Sequence, residues 1–248
     1  MNSKILNHYK KLVEENLLYL KDSTIRKSIE LYIKELIDDT AQVEEEWAKN
    51  HNNNVLKSLH NESLSILERS ENKMDKTISK IIVELNQLKS RSFSASIAEQ
   101  ILESLKKFKL KEEYKSFNGL FFEFDADPRF SGIAFKEPNF EVVLEEPKYQ
   151  NFEDGGYACD YSIDFELLDV FKNILNEDFE EIAWEFEFEP DIIQKIRSTA
   201  YSIVAINLHE ALLLKDVNNK LNQLGFEKGG VVYLNAHDTE EKTMFVNE

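Results

Sequence analysis

Ile182-Ala183-Trp184-Glu185-Phe186-Glu187-Phe188-Glu189 alternates strictly between non-acidic and acidic residues over its last six positions. In an extended chain, successive side chains point to opposite sides. Ile182, Trp184, Phe186 and Phe188 would then share one face, and Glu185, Glu187 and Glu189 the other. The aromatic face requires a core. The stretch therefore predicts a central strand of an antiparallel sheet with helices packed on its apolar side, and hence an α+β fold.

Outward from this stretch the chain divides in two. All seven glycines and all four prolines lie beyond residue 118. So long a segment without turn punctuation reads as helical. Its apolar stripes agree: Ile5, Tyr9, Leu12, Leu17 and Leu20; then Ile25, Ile29, Ile33, Leu36 and Trp47 after an N-cap at Asp22 or Ser23. A third stripe, from Leu56 through Leu67 and Ile78 to Leu88, predicts one long helix. Ser96-x-x-Glu99 reads as a capping box for a fourth. His51-Asn52-Asn53-Asn54 reads as a loop. Residues 1–115 are thus expected to form an antiparallel helical bundle with Trp47 buried near one end.

Residues 116–248 read as an α+β domain. Phe122 and Phe124 oppose Glu123 and Asp125 in a first strand, Phe130–Phe135 is a second, and Phe140, Val142 and Leu144 lie in a third. Phe165–Leu175 is expected to be helical. Pro190 opens a helix running to about Leu214. A short helix, Val217–Leu224, stops at Gly225. Val231–Leu234 and Thr243–Val246 close the sheet.

Charge follows the same boundary. Residues 1–115 hold 20 Lys/Arg against 19 Asp/Glu, whereas residues 116–248 hold 10 against 28. The net charge of −17 argues against nucleic-acid binding, which depends on cationic side chains, and against an anionic membrane surface. No apolar run approaches the roughly 20 residues of a bilayer span. The single Cys159 rules out an internal disulfide and fits a cytoplasmic protein.

No catalytic signature stands out, and no cofactor is expected. Asp125-Ala126-Asp127-Pro128, with His237 as an additional group, is the best candidate for a divalent ion and would suit a metal-dependent hydrolase. The same residues are ordinary turn chemistry. His209-Glu210 lacks the second histidine of a zinc-protease helix.

Carboxylates crowded on one sheet face are either a solvated surface or a surface for something basic. The partner-binding candidates are Glu185, Glu187, Glu189, Glu141, Glu145, Asp154 and Asp160, with Tyr157 among the aromatics of the same loop. A protein that imitates the phosphates of DNA is a further reading of the same charge.

Leu120-Phe121-Phe122-Glu123-Phe124-Asp125, the helix Asp191–Leu214 and Val231-Val232-Tyr233-Leu234-Asn235-Ala236-His237-Asp238 together resemble the small acidic immunity proteins of bacterial polymorphic-toxin systems. The resemblance covers about half of the chain. It implies a non-catalytic inhibitor that docks a basic partner, such as a toxin or nuclease. The helical half would then supply a second contact or a homodimer interface.

Overall fold

In the computed structural model the described residues are 1–43, 45–124, 129–136, 140–144, 157–167, 174, 176–236 and 242–248. Helices dominate before residue 105 and strands begin at Phe117, as the glycine and proline distribution requires. The described helices are α1 (Asn2–Lys21), α2 (Ile25–Ala41), α3 (Glu46–Lys89), α4 (Ser94–Ser104), α5 (Glu177–Trp184), α6 (Asp191–Leu213) and α7 (Lys215–Gln223). The strands are β1 (Phe117–Phe124), β2 (Arg129–Phe135), β3 (Ile163–Glu166), β4 (Phe226–Ala236) and β5 (Lys242–Val246). This is an α+β protein with helices followed by a sheet.

Two compact units draw on both sides of the change at residue 116. One comprises Met1–Leu12, Ser90–Lys172 and Tyr201–Glu248, and the other Val13–Lys89 and Asn173–Ala200.

The first unit is built on a five-stranded sheet of order β3-β2-β1-β4-β5. Neighbours are antiparallel except β1 and β4, which run parallel. Both faces are covered, because Leu120, Phe121 and Phe122 are all buried although they alternate along β1. One face gathers Phe121, Phe135, Val231 and Tyr233, with Ile133 and Phe140 against them. On the other, Phe165 stacks on Phe130 at 4.7 Å and meets Phe122 edge-on at 5.4 Å. Gly132 makes room for that cluster, since a Cβ there would lie 2.5 Å from the Phe122 ring. The expectation of a uniform apolar face and acidic face is therefore corrected: the second face buries Leu120, Phe122, Phe130, Ala134 and Phe165.

Side chains close both edges of this sheet. At β3, the Gln100 amide donates to the Glu166 carbonyl (3.1 Å) and accepts from the Glu166 N–H (2.8 Å). One helical turn later, Ser104 Oγ accepts from the Asp164 N–H at 2.9 Å. At β5, the Asn2 amide makes the same pair of bonds with Val246, at 2.7 and 2.9 Å. An edge so satisfied offers no template to another strand. Asn247 fixes an irregularity in β4, where Phe117 pairs with Phe226 and Gly119 with Val231. Its buried amide donates to the Phe226 and Glu227 carbonyls and to Asn222, and its backbone exchanges bonds with Gly229 and Gly230. Gly229 there has φ +82, and Gly225, just past α7, has φ +101 in the C-cap role.

The second unit contains α2, α3 and α5 with the adjoining parts of α1 and α6. The 44-residue α3 is the single long helix expected, about 66 Å at 1.5 Å per residue. Leu56, Ser63, Leu67, Met74, Ile78, Ile81, Leu85 and Leu88 form its buried stripe. Thr24 caps α2 by accepting from the Lys27 N–H, in place of Asp22 or Ser23.

Several expectations are corrected. His51–Asn54 is helical, because lengthening an existing helix is far easier than starting one, even through poor helix formers. Trp47 is 71% exposed rather than buried. Helix α4 begins at Ser94 after Phe93 without a side-chain cap, so the Ser96–Glu99 box is not formed. Residues 140–143 form no strand. This stretch meets β5 where Val143 and Thr243 exchange two bonds. Phe165 belongs to β3 rather than to a helix, and residues 168–173 and 175 lie outside the described residues.

Candidate partner-binding face

The central correction concerns the opening stretch. Residues 177–184 are helix α5, and 185–188 form bends rather than a strand. The sequence carries two periods at once. Reading only 182–189 reveals period two. Including Phe179 reveals Phe179, Ile182, Ala183 and Phe186 at i, i+3, i+4 and i+7, and these four are the buried residues. The helical period prevails because the start is built for a helix. The Asn176 side chain accepts from the Phe179 N–H at 2.9 Å, and Glu177, Asp178 and Glu180 occupy the positive first turn. Asn176-x-x-Phe179 was the signal that could have revealed it.

The helical geometry turns Trp184 outward, opposite to the strand expectation. It is 80% exposed, although tryptophan is usually largely buried. Steps of 100° per residue bring Glu177, Glu180, Glu181 and Trp184 onto the face opposite the buried four. The indole N–H donates to Glu180 Oε2 at 3.2 Å. Phe188 instead turns inward and stacks on Tyr32, centroids 4.0 Å apart and planes 7° apart.

Cations of the same unit already meet several of these carboxylates. Lys73 pairs with Glu181 at 2.8 Å and Arg69 with Glu185 at 4.0 Å, an antiparallel match of two i, i+4 pairs between α3 and α5. Arg197 pairs with Glu180 at 2.8 Å and also with Glu189. The Lys73–Glu181 pair is 62% exposed on both sides, and solvent-exposed pairs add little to stability.

The structure places the other sequence candidates as follows. Glu187 is exposed in the bends after α5. Glu141, exposed, precedes Val143, and its carbonyl accepts from the Tyr233 hydroxyl. Asp160 is exposed, with its N–H bonded to the Lys109 carbonyl at 3.0 Å. Tyr157 is 49% exposed and bridges the end of β2 at Phe135, with the Lys111 ammonium 5.8 Å from its ring. Glu141, Tyr157 and Asp160 belong to the sheet unit, whereas Glu185, Glu187 and Glu189 belong to the helical one. The single acidic sheet face expected to hold Glu185, Glu187 and Glu189 does not form. Glu145, Asp154, Asp125, Asp127 and His237 lie outside the described residues. Among the described residues, no group of three His, Cys, Asp or Glu could hold a metal ion.

Other reactive groups have structural partners or neighbours. Cys159 is buried, accepts from the Ala134 N–H, and burial pushes its thiol pKa up, away from a nucleophilic thiolate. His209 is buried with Nδ1 against the Met244 carbonyl at 2.5 Å, and burial holds its pKa below the usual value. An open groove of about 580 Å³ runs between α4 and β3. Its central charges, Arg129 and Asp164, pair with each other. Burial raises the Asp164 pKa, but hydrogen bonds from Ser162, Arg129 and Ser131 outweigh it and leave the carboxyl below its ordinary value.

Among the described residues, no helix is long and apolar enough to cross a membrane. No protein-family model, no curated protein and no solved structure matches this chain, so its function rests on its own residues.

Proposed function

We propose that this chain is a non-catalytic binding protein that captures a basic protein partner on the outer face of α5. The observation that carries the reading is Trp184, 80% exposed among Glu177, Glu180 and Glu181 on one helical face. Stability alone gives no reason to expose an indole there. An arginine gains from both parts of such a surface, stacking its guanidinium on the ring while carboxylates accept its N–H groups. Tryptophan and arginine are also the residues most enriched where binding energy concentrates.

The internal ion pairs are compatible with this role. An exposed Lys73–Glu181 pair is weak enough for a partner's arginine to replace it at little cost. The net charge of −17 speeds the approach of a cationic protein and repels acidic competitors. Nucleases carry cationic surfaces because their substrates carry phosphates. The immunity-type resemblance points to a toxin of that kind, met in the cytoplasm, where a lone buried cysteine is at home.

The test is capture from lysate of the encoding organism by two immobilised baits, with mass-spectrometric identification. One bait is the wild type and the other carries Trp184→Ala, Glu177→Lys and Glu187→Lys. All three positions are exposed, so the variant should still fold, at a cost of about 1 kcal/mol where Glu177 leaves the positive first turn of α5. The expected result is a basic protein retained by the wild type and depleted at least tenfold on the variant. Identical captured sets, or only acidic proteins, would contradict the proposal.

A further inference from the structure

We infer that the end of the α2–α3 hairpin is a second docking surface for basic protein, centred on Trp47; this rests on the same reading of exposed indole among carboxylates proposed for α5. The chain has two tryptophans, and both stand out in solvent. Trp47 is 71% exposed, and its indole N–H donates to Glu45 just ahead of α3, whereas Trp184 donates to Glu180 one helical turn back. Asp38, Asp39, Glu45 and Glu46 surround this end of the hairpin and are all exposed, whereas Lys49 is the one cation between positions 38 and 50. That balance favours a cationic occupant over a second copy of the same acidic tip.

The helix itself supplies an independent argument. None of residues 46–55 of α3 is buried, and the first buried position is Leu56. Four of the ten, Asn50, Asn52, Asn53 and Asn54, are poor helix formers. An end without packing or propensity frays readily, and it leaves Trp47 71% and Val55 44% exposed. A bound partner would supply the missing contacts. From Trp47 to Arg69, where α3 meets α5, is 22 residues, or about 33 Å along the helix.

The two tryptophans allow each surface to be read separately in the full chain. Trp184→Phe leaves Trp47 as the only indole, and Trp47→Phe leaves Trp184. Each is titrated with octa-arginine peptide at low salt while tryptophan emission is recorded. The expected result is a saturable change at Trp47, with the midpoint raised at least fivefold by Asp38→Asn, Asp39→Asn and Glu46→Gln together. A Trp47 signal that stays flat while Trp184 responds would overturn the second surface and leave the α5 proposal standing. A response at Trp47 alone would support the second surface and remove the α5 face. Silence at both would overturn both, whereas a Trp47 change that the carboxylate substitutions leave untouched would overturn the second surface alone.

Discussion

His209 shows how one buried residue makes the fold sensitive to pH. It is 1% exposed between α6 and β5, with Phe245 edge-on at 5.8 Å and Lys10 and Glu210 as the nearby charges. Burial disfavours the imidazolium and lowers the folded-state pKa, with Lys10 acting in the same direction. The unfolded histidine titrates near pH ~6.5. Below that pH the unfolded chain binds a proton that the folded one resists, so stability falls as pH drops from the unfolded pKa towards the folded one. The slope from this group approaches about 1.4 kcal/mol per pH unit within the window. Denaturant melts between pH 7.5 and 5 should show that loss, and His209→Gln should flatten it. An unchanged slope in the variant would assign the acid sensitivity elsewhere.

Among the elements, α4 and α5 teach different lessons. Helix α4 serves the sheet by lending Gln100 and Ser104 to the outer backbone groups of β3. Replacing both with alanine leaves the part-buried Asp164 N–H without its acceptor, at about 1–3 kcal/mol, and turns the exposed Glu166 N–H over to water. Hydrogen exchange at the Asp164 and Glu166 amides should then accelerate before that of β1; equal protection in wild type and variant would show that α4 does not seal the edge. Helix α5 explains why the deciding stretch misleads. Period two in Trp184–Glu189 is real in the sequence, but a capped start at Asn176 commits the chain to a helix before that pattern begins. Where start signal and apolar stripe agreed, as in α6 after Pro190 and α7 before Gly225, the elements appear as expected. The exposure of Trp47 and Trp184 was not legible, because apolar residues are placed inward by default and only tertiary packing reveals an exception.

At the scale of the molecule, strong acidity combines with internal neutralisation. Near α5, Arg69, Lys73 and Arg197 already balance part of the charge that the sequence alone assigns to a partner. What remains for recognition is smaller and better defined: an indole with carboxylates around it, on a helix anchored by buried Phe179, Ile182, Ala183 and Phe186. The most direct measurement is the salt dependence of octa-arginine binding to the Trp47→Phe protein, read from Trp184 emission between 50 and 400 mM NaCl. Saturable binding that weakens at least tenfold across this range, and is lost with Glu177→Lys and Glu187→Lys, is the predicted result. Emission that ignores the peptide, or an affinity indifferent to salt and to these substitutions, would contradict the assignment of α5 as the face that meets a basic partner.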